Sequence, residues 1–248
     1  MNRFRTTLLI AMLTLVVVAR PVSAQIGDLL KQLPQIPGGT PSAGSLGEVK
    51  IGQGLKEALQ VSTEKAVSLT GRTDGYLKNE AIKILMPEQL KTAERGLRAV
   101  GYGPQLDELV VGMNRAAEQA APAAKNIFWD AIGDMTIDDA TKVLNGGNHA
   151  ATDYFKSKTT PKLTAAFTPV VEKSMSHVGV TQQYNELIGR AKAIPFLNTE
   201  QYDLNHYVVG KGLDGLFHVV GEQEAQIRAN PAARTTALLQ EVFGHKHP

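Results

Sequence analysis

From Glu48 almost to the C-terminus, apolar residues return every three or four positions, and this periodicity restricts the fold more than any other feature of the chain. Ile51, Leu55, Ala58, Leu59, Ser62, Ala66 and Leu69 fall on one face of a helix. Leu106, Leu109, Val110, Met113, Ala117 and Ala120 repeat the pattern. Alternation at the strand period appears once, over Ile82, Ile84 and Met86 before Pro87, and one such run cannot build a sheet. The expected fold is all-α: a single compact, bundle-like domain of about eight to ten helices over residues 48–244.

The punctuation agrees with that class. Pro87, Pro104, Pro122, Pro161 and Pro231 each stand where a periodic stretch opens, the last two behind Thr160 and Asn230 as N-caps. Gly71, Gly101, Gly179 and Gly244 follow periodic stretches, where a left-handed C-cap is cheapest. Thr136-Ile137-Asp138-Asp139 has the form of a capping box with Asp as the returning acid. Leu204 to Arg228 carries two apolar stripes, one through Val209, Leu213, Leu216, Val220 and Ile227 and one through Val208, Gly212, Gly215 and Val219. Enclosure on two sides makes this the candidate central helix, with Gly210, Gly212 and Gly215 calling for closely approaching neighbours.

The N-terminus carries an address. Arg3 and Arg5 precede an apolar run of 14 residues from Thr6 to Ala19, and Val22-Ser23-Ala24 supplies the small-x-small cleavage pattern. The run is short of the roughly 20 residues of a membrane span, so residues 1–24 read as a removed signal peptide rather than a stable transmembrane anchor. Arg20, just after the apolar run, keeps a retained anchor open as the alternative. Within residues 25–47, Ile26, Leu29, Leu30 and Leu33 share one helical face and Pro34 to Gly47 reads as a linker; residues 245–248 read as a disordered tail. Cleavage removes three arginines, leaving 23 basic against 24 acidic residues. That balance gives no basic footprint for nucleic acid. The absence of cysteine excludes a disulfide framework and thiol lipidation, so stability rests on core packing. Together these features point to the periplasm, with onward secretion open.

Leu55-Lys56-Glu57-Ala58-Leu59, Met113-Asn114-Arg115-Ala116-Ala117-Glu118, Thr152-x-Tyr154-Phe155, Leu213-Asp214-Gly215-Leu216-Phe217 and Ile227-Arg228-x-Asn230-Pro231-x-x-Arg234-Thr235-Thr236 carry a resemblance. In these motifs the chain resembles the bacterial exported proteins grouped as domain of unknown function 4197, over nearly all of its length from Ile26 to Gly244. The resemblance implies a helical periplasmic protein and carries over no catalytic or ligand residue. The chain departs from the family at Gly210 and Gly212, where larger residues are expected.

Nucleophile signatures are sparse: there is no G-x-S-x-G elbow, no H-E-x-x-H and no P-loop. Gly210-Lys211-Gly212-Leu213-Asp214-Gly215 spells a dinucleotide fingerprint, but only 33 residues follow it and they read as helix, so packing is the better account and no cofactor is expected. Asp214, His218 and Glu222 share a helix face without the Glu-x-x-His spacing of a di-metal bundle, and no metal is expected there; His149 with Asp153 is a weaker pair of the same kind. The ligand or polar-cluster candidates are Asn114, Arg115 and Glu118 beside an apolar stripe, and Arg228 and Arg234 about the Asn230-Pro231 break. On the helical wheel Asn114 borders the stripe, Glu118 lies a row further out and Arg115 lies opposite. The first functional expectation is a non-catalytic protein holding an apolar small molecule or lipid, or an amphipathic ligand, between helices. An envelope interaction or assembly protein that docks an envelope partner through Ile26, Leu29, Leu30 and Leu33 is the alternative, and an enzyme with a composite site the third. N-terminal sequencing of the envelope fraction should return Gln25 as the first residue; an intact Met1 or Asn2 would overturn the address and the charge balance.

Overall fold

The computed structural model describes residues 43–177, 179–192 and 202–230. Eight α-helices occur among them: α1 (Ala43–Gly71), α2 (Lys91–Ala99), α3 (Gly103–Ala120), α4 (Ala124–Gly133), α5 (Ile137–Asn145), α6 (Ala150–His177), α7 (Val180–Lys192) and α8 (Leu204–Ala229). Short 3-10 turns at Glu88–Leu90 and Ala121–Ala123 join neighbouring helices, and no strand forms among the described residues. The chain is all-α, as its periodicity requires.

The apolar stripes become the core. Leu55, Leu59 and Ala66 of α1 are buried in the same cluster as Leu106, Leu109, Met113 and Ala117 of α3. Helix α8 packs against α6, α1 and α3 and buries both of its stripes, which makes it the central element. Around it Phe128 meets Phe155 edge-on at 5.3 Å and Phe217 at 6.1 Å between ring centroids. The small-residue face Ala116, Ala117, Ala120, Ala121 and Ala124 is wholly buried, so it supports tight packing rather than a cavity.

Local signals operate as written at several ends. Thr136 accepts from the Asp139 N–H while the Asp139 carboxylate accepts from the Thr136 N–H, completing the capping box of α5. Gly101 and Gly179 adopt positive φ values of 94° and 71° after α2 and α6, whereas Gly71 is the last residue of α1 and does not take the left-handed conformation expected of it. Pro104 lies in the first turn of α3.

Two boundaries differ from the sequence reading. Pro161 does not start a helix behind Thr160; it lies with Pro169 inside α6. Each interior proline forfeits a hydrogen bond at about 3 kcal/mol, and the buried ladder Phe155, Thr159, Leu163, Phe167 and Val171 runs through both positions and supplies more than that. Thr160 uses its hydroxyl on the Lys156 carbonyl instead of capping. Helix α1 begins at Ala43, inside the stretch read as linker, because a helix nucleated further along extends at one hydrogen bond per added residue. Residues 1–42, 193–201 and 231–248 lie outside the described set, and with them the docking face Ile26, Leu29, Leu30 and Leu33, Arg234, and the N-cap role expected of Asn230 toward Pro231.

The glycines of α8 separate by environment. A Cβ on Gly215 would lie 2.6 Å from Tyr76 Cε1 and 3.0 Å from Ile82 Cβ, and one on Gly212 3.5 Å from Ala117 Cβ, whereas Gly210 has nothing within 4 Å. Close approach therefore explains Gly215 and not Gly210. Gly215→Ala should lower stability by about 1–3 kcal/mol through overpacking against buried Tyr76. Gly210→Ala should raise stability by about 0.5–1 kcal/mol. Thermal or urea denaturation checks both, and equal effects at the two positions would contradict this packing.

Candidate functional site

Between α1 and the turn at Glu88, residues 72–87 leave the helical repertoire and cross the surfaces of α3 and α8. Their backbone groups need partners, and α3 supplies side chains for them. Fully buried Asn114 accepts from the Ile84 N–H at 2.9 Å and donates to the Ile84 carbonyl at 2.8 Å. Glu118, 4% exposed, accepts through Oε1 from the N–H groups of Tyr76 and Leu77, each at 3.1 Å. Its Oε2 takes Arg115 at 2.6 Å, and Arg115 reaches on to Asp74 at 2.6 Å. Hydrogen bonds from Lys78 and Arg115 hold the Asp74 carboxyl below its ordinary range, and the pair secures a residue whose φ of 66° lies in the left-handed region. Tyr76 closes the other side, its hydroxyl donating to the Gly212 carbonyl at 2.5 Å inside α8.

Asn114, Arg115 and Glu118 are thus brought together, and they tie a helix to this strap. Glu118 is deeper than its wheel position indicated because the strap covers its side of α3. The roles of Tyr76 and Asp74 escaped the sequence reading, since nothing local marks a loop tyrosine as the plug of a distant helix. Arg228 belongs to a second cluster. Buried Glu224 accepts from the Ala151 and Thr152 N–H groups, both at 2.9 Å, and so caps α6. Arg228 pairs with Glu224 at 2.9 Å and donates to the Val143 carbonyl at 2.6 Å, which caps the end of α5. The i, i+4 spacing of Glu224 and Arg228 was a usable signal for that pair.

The exposed stripe of α8 runs through Lys211, Asp214, His218 and Glu222. Three open clefts adjoin along it. One of about 630 Å³ lies between the stripe and strap residues 81–86. Another of about 640 Å³ lies toward His149, Asp153 and Lys156 of α6 and its entry, and shares Asp214 and His218 with the first. The third, about 510 Å³, runs beside strap residues 72–80 and shares Glu222 with the second. The groove mixes Leu85, Phe217 and Val219 with charges of both signs. His218 Nε2 stands 3.4 Å from Glu222 Oε1, both about half exposed, and Lys211 stands 3.7 Å from Asp214. Among the described residues no group of three or more His, Cys, Asp or Glu side chains is placed to hold a metal ion. The Gly210 to Gly215 fingerprint lies within α8, which starts at Leu204, so the helix N-terminus and preceding strand that a pyrophosphate needs are not at these glycines.

The described residues contain no helix long and apolar enough to cross a membrane. The family model described as protein of unknown function DUF4197 matches residues 45–244. The chain belongs to this family. Neither the curated proteins nor the solved structures hold a significant match. In this DUF4197 chain the motif around Asn114, Arg115 and Glu118 is the strap anchor, and the motif around Asp214 and Gly215 supplies both the groove's charged stripe and the gap that Tyr76 fills.

Burial raises the Tyr76 phenol above its ordinary value near 10, with the Glu118 charge adding to the effect. Below that pH the folded and unfolded chains both keep the proton and the stabilisation is complete. Above it the unfolded chain releases the proton first, so stability falls as pH rises. Urea denaturation at pH 7 and pH 11 should therefore show a larger alkaline loss in the wild type than in Tyr76→Phe, and equal losses would contradict the buried, hydrogen-bonded hydroxyl. At pH 7 Glu118→Gln should cost about 2–3 kcal/mol, since the bonds from two N–H groups lose their charge assistance and Arg115 loses its carboxylate partner.

Proposed function

We propose that this chain is an exported, non-catalytic binding protein, and that its ligand is amphipathic and lies in the groove along α8 rather than between helices. The observation that carries the reading is the continuity of the clefts through shared Asp214, His218 and Glu222. Exposed Leu85 offers apolar contact to a ligand body, and the interspersed Lys156, Lys211, Asp214 and Glu222 suit a polar or zwitterionic head. The filled alanine face of α3 argues against an internal chamber at that place. Among the described residues the two deeply buried carboxylates, Glu118 and Glu224, are engaged by backbone N–H groups and arginines, which favours binding over proton-transfer chemistry. Arg3, Arg5, the apolar run and Val22-Ser23-Ala24 are what support export and a periplasmic ligand.

Native mass spectrometry of protein purified from the periplasm tests the reading. The wild type should retain an amphipathic adduct, and Asp214→Arg with Glu222→Arg should lose at least tenfold of it while melting unchanged, because both side chains are exposed. A wild type without adduct, or an adduct held equally by the double variant, would refute the groove.

A further inference from the structure

Residues 83–87 of the strap follow a turn, lie outside any helix or strand, and carry unused hydrogen-bonding groups. Ile82, Ile84 and Met86 are buried and Leu85 between them is 55% exposed, the burial pattern of a half-covered strand. No strand lies beside it among the described residues. On the inner side the Asn114 amide gives Ile84 one acceptor and one donor, the same pair a neighbouring strand residue would supply. Alternate residues of an extended chain face opposite sides, so Lys83 and Leu85 present their groups outward. There the Lys83 N–H turns to the Asn79 carbonyl at 2.8 Å and the Leu85 carbonyl takes the Tyr207 hydroxyl at 3.0 Å. Among the described residues the Lys83 carbonyl and the Leu85 N–H have no hydrogen-bond partner.

We propose that residues 83–86 accept an extended polypeptide, which adds as a strand on the outer edge within the 630 Å³ cleft. The inference rests on the groove reading and names its ligand class. An acyl chain or a sugar lacks the alternating N–H and carbonyl spacing that matches a vacant carbonyl and a vacant N–H two residues apart; a peptide backbone has it. Exposed Leu85 offers apolar contact beside the ladder, and Tyr202 and Tyr207, packed edge-on at 5.9 Å, stand in the same cleft. Pro87 ends the edge, which confines pairing to a short register and guards against indefinite strand addition.

The test is a selection of displayed random dodecapeptides on the mature full-length chain, followed by synthesis of the enriched peptide and of a version N-methylated at alternate residues. Saturating peptide should slow hydrogen exchange of the Leu85 amide at least tenfold, and alternate N-methylation should weaken binding at least tenfold. Leu85→Pro, with its helical circular dichroism intact, should bind at least tenfold more weakly. Absence of enrichment, unchanged exchange at Leu85, or equal binding of the N-methylated peptide would each overturn the proposal. A small amphiphile retained in native mass spectrometry alongside any of those results would sink this inference and leave the groove reading standing.

Discussion

Glu118 accepting the N–H groups of Tyr76 and Leu77 is the interaction on which the grooved face of this molecule depends. A helical bundle satisfies its own backbone, whereas residues 72–87 bring a run of polar groups to a surface that would otherwise be apolar. A carboxylate buried there is costly unless it is paired and hydrogen-bonded, and Arg115 with two backbone donors meets that condition. With the strap fixed, Tyr76 enters the space left by Gly215, Ile82 and Ile84 complete the core, and strap residues 72–86 become a wall of the groove.

The second polar cluster applies the same physics at the far end of α8. Glu224 and Arg228 lie one turn apart, and between them they supply an anionic partner to the start of α6 and a cationic partner to the end of α5. Each charge faces the helix end of opposite polarity. One helix thus fixes the ends of two others while leaving a single exposed stripe, and the clefts open along that stripe. Its ion pairs are solvent-exposed and contribute little to stability, which leaves those residues free to vary without cost to the fold.

The fold class and the central role of α8 were legible because burial follows periodicity: Val208, Val209, Gly212, Leu213, Leu216, Val219 and Val220 are inside as their spacing requires. Thr136 to Asp139 and the glycines at 101 and 179 were equally legible, since caps are local chemistry. The continuous course of α6 through Pro161 and Pro169 was not, because tertiary burial outweighs a local breaker. At the site, Asn114 was recognisable as a polar residue bordering the core, yet its partner Ile84 lies 30 residues away on the segment that most resembled a strand. Alternation there recorded real half-burial; the neighbouring strand is replaced by one amide side chain, a substitution that no sequence period encodes.

Native-state hydrogen exchange of the Tyr76, Leu77 and Ile84 amides in the unmodified protein tests most directly whether the strap is anchored to α3. These N–H groups lie outside any helix, and they should exchange with protection approaching that of the α3 and α8 core amides, because freeing them requires breaking the buried Glu118 and Asn114 bonds. Exchange at the rate of an exposed loop, with α3 and α8 still protected, would contradict the account.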